Sequence, residues 1–167
     1  FLVRNHPIYG RVKGSLVKLD LEPSSNIVFD NSRTFFESGK TYKEGLVEDM
    51  QHEVDSLFHS DMIITTSSIL GEEAALLNKP IVNLAFDGIE EKSKHESISR
   101  YYSSIEKYKG TKIAYDLSQL IRYVKEYFGD PTLDSSERRK MVEDRCFKLD
   151  GKSGKRIADF VTRNVDN

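Results

Sequence analysis

The sequence predicts an α/β fold, with a mostly parallel sheet carrying helices on both faces. Three observations support this. Short β-rich apolar runs alternate with longer segments of helical periodicity through the centre of the chain, the order that builds parallel sheets. Some of those runs, such as Met62 to Thr66, are continuously apolar or β-branched, as strands buried on both faces are. At 167 residues the chain has the size of one globular domain, able to bury a core without disulfide staples.

The elements follow in order. Phe1 to Arg4 reads as a short buried strand, and Pro7, Gly10 and Gly14 mark a loop after it. Ser15 to Leu21 alternates loosely and fits a strand or a helix. Asn26 to Asp30 reads as a strand, and Asn31 to Gly45, polar and holding Gly39 and Gly45, mainly as loop. Leu46, Met50, Val54, Leu57 and Phe58 fall on one face at helical spacing. Met62 to Thr66 is a central strand. Ser67 and Ser68 can cap the helix that follows, which runs to about Asn78, where Asn78-Lys79-Pro80 stops it. Ile81 to Phe86 is the next strand and Gly88 to Lys94 a charged loop. Glu96 to Tyr108 is a helix, with Ile98, Tyr101, Tyr102 and Ile105 on one face and Gly110 at its end. Thr111 to Tyr115 is the last strand. Leu117, Leu120, Ile121, Val124 and Phe128 make an amphipathic helix broken by Pro131, and Ser136–Phe147 and Gly154–Asn164 fit two more. The sum is a Rossmann-like three-layer sandwich with four to five parallel strands and C-terminal helices, in a single domain over residues 1–167.

Composition excludes several classes. Lys and Arg number 25 against 27 Asp and Glu, a net charge of -2 that argues against nucleic acid as a partner. One cysteine, Cys146, cannot form a disulfide within the chain, which fits a reducing compartment. No apolar run approaches the roughly 18 residues of a membrane span. The chain starts without Met, without a signal-peptide pattern and inside a strand, so it reads as a piece of something longer. His52 and His59 are seven apart, which is not the spacing of a helical metal pair, and His95 stands alone. Gly151-Lys152-Ser153 lacks the glycine spacing of a P-loop, which removes an ATPase.

Ligands of such sheets sit outside the C-terminal ends of the strands, which selects the loops after Arg4, Asp30, Thr66 and Phe86. The stretch from Asp61 to Asp87 is the most informative: strand, hydroxyl-rich turn, helix, tight stop, strand. Thr66, Ser67 and Ser68 lie where the helix begins, and its first N–H groups have no internal partner and carry partial positive charge. Hydroxyls with free amides suit a phosphate or diphosphate; the same serines suit plain capping. Glu72 and Glu73 favour the helix dipole, and a carboxylate there can also accept from both hydroxyls of a ribose. His6, before Pro7, is either a surface histidine at a turn or an imidazole aimed at a ligand from a strand end, where it can adopt either charge state. Asp87-Gly88 is either an ordinary turn or a cleft contact. The tyrosines 101, 102, 108, 115, 123 and 127 read as half-buried packing positions. Arg138-Arg139-Lys140 reads as a solvated helix face, a membrane-surface role being the alternative.

The order Ser67-Ser68, Glu72-Glu73-Ala74, Leu77, Lys79-Pro80-Ile81-Val82 resembles the donor-nucleotide signature of GT-B-type enzymes. That superfamily holds many glycosyltransferases, the UDP-N-acetylglucosamine 2-epimerases and the CDP-glycerol glycerophosphotransferases. Phe1 to Pro7 is similar to the strand ending in His-Pro that these families place at the domain cleft. Asp150-Gly151-Lys152, followed by Arg156-Ile157, resembles the turn and helix that close many surface-polysaccharide transferases. The resemblance implies that Ser67 and Ser68 hold a diphosphate, next to the hydroxyl of Thr66, and that Glu73, beside Glu72, holds a ribose. It implies that Asp87 lines the donor and that His6 is the catalytic candidate, acting on the donor phosphate or departing nucleotide; Arg4 either adds charge there or points into the other face of its strand. Ser68 and Ile69 stand where the epimerases have glycines, and the Thr-Ser-Ser wording is closer to the transferases.

The function implied is transfer of a sugar from a UDP- or CDP-linked donor in surface polysaccharide or lipopolysaccharide synthesis. The alternatives are 2-epimerisation, transfer of a polyol phosphate from a CDP-linked donor, and a non-catalytic domain of the same fold. The chain would be the C-terminal half of a two-domain enzyme, inactive alone, with an N-terminal domain as partner and source of the base. No cofactor and no metal are expected, the nucleotide-sugar being substrate. The expected location is cytoplasmic, with peripheral contact at the inner face of the membrane.

Overall fold

A computed structural model of the chain describes residues 1–4, 25–30, 42–66, 68–86 and 96–165, with side chains described throughout except at 42–49 and 96–99. His6, Ser67, Asp87 and the Ser15–Leu21 segment lie outside the described residues. The chain divides into two compact units, Phe1–Ser56 and Leu57–Asn167.

In the first unit, strands β1 (Leu2–Arg4) and β2 (Val28–Asp30) pair in parallel, Leu2 opposite Val28 and Arg4 opposite Asp30. Helix α1 (Tyr42–His59) follows, its last three residues counted with the second unit. It starts earlier than the loop expected up to Gly45, because its polar first turn extends upstream of the periodic apolar residues. The apolar face expected on α1 is not an inward face: Met50, Val54 and Phe58 are exposed, whereas Leu57 is buried. Charge engages this helix with the strand ends instead. Asp30 Oδ1 lies 3.0 Å from His52 Nε2, and Glu53 Oε2 lies 3.6 Å from Arg4 Nη2.

The second unit is a three-layer sandwich. Strands β3 (Ile63–Thr65), β4 (Ile81–Leu84) and β5 (Lys112–Ala114) form a parallel sheet in sequence order, so β4 is its central strand and β3, expected there, stands at an edge among the described residues with Ile64 exposed. Helix α2 (Ile69–Leu76) connects β3 to β4, and α3 (Glu96–Glu106) precedes β5. Successive residues of a strand point to opposite faces, and the core divides accordingly. Ile63, Ile81, Ala85 and Ile113 meet Ala74 and Ala75 of α2 and Tyr102 and Ile105 of α3. Val82 and Ala114, one residue on, meet Tyr127 of helix α4 (Leu117–Gly129). Helices α2 and α3 thus share one face, as consecutive crossovers of one hand require, and α4 covers the other.

The α4 face differs from the expected one. Leu117, Ile121 and Phe128 are exposed, and Leu120, Tyr123 and Tyr127 pack inward. The inward set keeps helical spacing, but two of its three members are tyrosines, whose rings bury while a hydroxyl finds a partner. The Tyr127 hydroxyl donates to Asp134 Oδ2 at 2.8 Å.

Helix α5 (Ser135–Cys146) packs on α2 through Met141 and Val142, and α6 (Ser153–Val165) buries no residue. The expected solvated face at Arg138-Arg139-Lys140 is overturned at its first member, because Arg138 is fully buried. Its guanidinium donates to Asn78 Oδ1 at 3.2 Å and to the Leu133 carbonyl at 2.7 Å, satisfying a charge that would otherwise be costly inside. Gly110 serves this contact too. A Cβ there would stand 2.7 Å from the Arg138 backbone nitrogen, and the left-handed residue after α3 is Lys109, φ 57°. Gly110 therefore admits α5 rather than ending α3. No helix among the described residues is long and apolar enough to cross a membrane.

Candidate functional site

The junction of β3 and α2 is built from its own sequence. Thr65 ends the strand, Thr66 follows it, and Ser68 adopts the extended conformation of an N-cap, φ -134° and ψ 149°. Its Oγ accepts from Leu70 N–H at 3.3 Å, and its carbonyl accepts from Gly71 N–H at 3.2 Å. Ser68 is therefore a cap, and its hydroxyl keeps a proton to donate. Ile69, the first helical residue, is 62% exposed, so this end of α2 opens to solvent on that side. At the other end, Asn78 takes φ 54°, and Asn78 N–H and Lys79 N–H return to the carbonyls of Ala75 and Ala74. This is the left-handed stop expected of Asn78-Lys79-Pro80.

Two contacts from distant helices hold the first turn. Tyr101 of α3 donates its hydroxyl to the Ser68 carbonyl at 2.9 Å. Arg145, in the last turn of α5, pairs with Glu72. Burial, then the nearby Glu72 carboxylate, raises the Tyr101 pKa above the usual phenol value, so the hydroxyl stays a donor. Beneath the turn, Gly71 is buried, and a Cβ on it would lie 3.6 Å from the Tyr101 hydroxyl and 3.7 Å from Asn83 Oδ1. Asn83 is fully buried on β4. Its Nδ2 donates to Thr111 Oγ1 at 3.2 Å, while its Oδ1 has no hydrogen-bond partner among the described residues.

The residues singled out from sequence are distributed as follows. Thr66, Ser68, Glu72 and Glu73 share the β3–α2 junction. Thr66 is exposed, and Glu73 is half-buried with Oε2 shielded from solvent. Arg4 ends β1 in the first unit, with Asp30 and Glu53 as ion-pair partners at 3.6 Å each. His6, Ser67 and Asp87 fall outside the described residues. Tyr101, Arg145 and Asn83 were not singled out as site residues. Tyr101 had one signal in the sequence, a hydroxyl on an otherwise packing face that must find a partner. Arg145 had none, because its pairing with Glu72 spans 73 residues.

Chemically, the turn offers an open helix end, a hydroxyl proton on Ser68 and an exposed threonine at the C-terminal edge of a parallel strand. That combination suits an anionic oxygen.

No curated protein and no solved structure matches the chain. The family model described as CDP-Glycerol:Poly(glycerophosphate) glycerophosphotransferase matches residues 30–163, which takes in β3, the Ser68 turn, α2 and nearly all of α6. With most of its length matched and an α/β fold in keeping with it, the chain belongs to this family of transferases.

Proposed function

We propose that the chain is the donor-binding part of a transferase that moves glycerol phosphate from CDP-glycerol to a growing poly(glycerophosphate) acceptor. The observation that carries this is the open, hydroxyl-capped start of α2 at the C-terminal edge of β3, in a chain whose family is glycerophosphotransferase. In this reading the turn receives the cytidine diphosphate, and the half-buried Glu73 receives the ribose. The family moves polyol-phosphate transfer ahead of the sugar transfer first expected.

The chemistry asked of the turn is modest. An acceptor hydroxyl oxygen attacks the phosphorus that carries glycerol, and a new P–O bond forms. The P–O bond to cytidine monophosphate breaks, CMP departs with the bond's electrons, and the hydroxyl proton passes to a base. Negative charge grows on the departing phosphate, where the amide at the helix start and the Ser68 proton would stabilise it. Reactant positioning supplies most of the remainder. The base and the acceptor site are assigned to a companion N-terminal domain.

Thermal shift with CDP, UDP and GDP tests the binding half. Preferential stabilisation by CDP is expected; preference for UDP returns the reading to sugar transfer, and no response to any nucleotide favours a non-catalytic domain. The product separates the chemistries. Full-length protein given CDP-glycerol and a short glycerol phosphate primer should release CMP, whereas a sugar transferase leaves a nucleoside diphosphate.

A further inference from the structure

We infer that Tyr101 is a positioning residue that aims the Ile69 amide at the donor diphosphate; this rests on the donor-binding reading above. One peptide plane links the two residues. The Ser68 carbonyl and the Ile69 N–H belong to the same planar trans unit and point in opposite directions. Whatever fixes the carbonyl fixes the amide. Two donors hold that carbonyl, Gly71 N–H at 3.2 Å from within the turn and the Tyr101 hydroxyl at 2.9 Å from α3.

The next two amides of the turn are committed. Leu70 N–H goes to Ser68 Oγ and Gly71 N–H to the Ser68 carbonyl. The Ile69 amide has no acceptor inside the helix by its position, and it sits on the residue whose side chain is 62% exposed. Like the Ser68 hydroxyl, it is a donor of this turn left for a partner outside the helix. Tyr101 contacts the face of the peptide away from it, so the tyrosine touches no ligand and acts through the plane it holds.

A second observation marks the turn as more than a cap. Asn83 is completely buried, and its Oδ1, without a hydrogen-bond partner among the described residues, lies 3.7 Å from where a Gly71 Cβ would stand, on the underside of the same turn. A buried acceptor left open is costly and calls for a reason, such as a function or a bound molecule that uses it. Polar groups therefore approach this turn from below, where apolar packing would be the stabilising choice.

The test compares wild-type and Tyr101→Phe protein, using CDP and cytidine as probes. The Phe ring keeps the packing and removes only the donated proton. CDP affinity should fall about five- to tenfold, the worth of one aimed hydrogen bond, while cytidine affinity stays unchanged, because cytidine carries no phosphate. Equal CDP affinity in the two proteins overturns the inference, and so does a parallel loss of CDP and cytidine. The wild-type protein supplies an independent readout. Titration with CDP should shift the Ile69 amide resonance and slow its hydrogen exchange, and an Ile69 amide indifferent to CDP overturns the inference whatever the variant does. Wild type that binds no CDP removes the donor-binding reading and this inference with it; wild type that binds CDP beside an unaltered variant removes this inference alone.

Discussion

The Ser68 hydroxyl accepts a hydrogen bond from the helix that it starts and still has a proton to give away. Capping and binding, open alternatives in the sequence, are compatible in one side chain. Ser68→Ala should cost about 1 kcal/mol of stability in denaturant unfolding, the usual worth of an N-cap, and should weaken CDP binding beyond that. Arg138 is the opposite case, a charge with a structural task only. Its partners Asn78, Pro131 and Leu133 would all be left behind by Arg138→Ala, and a loss of about 3 kcal/mol or more in urea unfolding is expected. The sequence exposed the first of these roles and hid the second. Capping is local, so Ser68 is legible three residues from the amides it serves. Arg138 looks like one of three solvated cations until Asn78, 60 residues away, comes to meet it.

At the scale of elements, every strand expected in the described residues is present, because each is a short apolar run bounded by turn residues. The faces of the helices were less legible than their positions. Counting apolar residues placed Leu117, Ile121 and Phe128 of α4 inward, but the rings of Tyr123 and Tyr127 hold that face, since Asp134 waits for the Tyr127 hydroxyl. Truncation should separate the two faces. Tyr127→Ala should cost about 3–4 kcal/mol, and Phe128→Ala, at an exposed position, within about 0.5 kcal/mol, both measured by chemical denaturation. The candidate site divides the same way. Its β3–α2 turn could be read along the chain, whereas the contacts of Tyr101 and Arg145 come from α3 and α5 and exist only after the sandwich has closed.

Over the whole molecule, stability should fall at both ends of the pH scale. On the acid side Asp116 is held below its ordinary value by hydrogen bonds from the Ser118 hydroxyl and then the Gln119 amide, Asp130 by the Thr132 hydroxyl and amide, and Asp150 by Arg156. A carboxyl lowered by folding binds fewer protons in the native state. Its contribution is complete above the unfolded value of 3.8 and is lost as the pH falls through the lower folded value. Asp116→Asn, which still accepts at the start of α4, should shallow that acid limb in a series of melting temperatures. On the alkaline side Tyr127 is raised, first by burial and then by its bond to Asp134. Its contribution is complete below 10 and drains away as the pH climbs toward the raised value. Tyr127→Phe should flatten that limb.

Helix α6 keeps Ile157, Phe160, Val161 and Val165 in solvent and lends nothing to either core cluster. Shortening the gene so that translation stops after Leu149 should therefore leave the melting temperature of the remainder within a few degrees of the parent. It should also give a preparation less prone to self-association in light scattering, because four greasy side chains leave with the discarded end. Stopping instead after Asp130 would strip the lid from Ala74 and Ala75 and yield insoluble material.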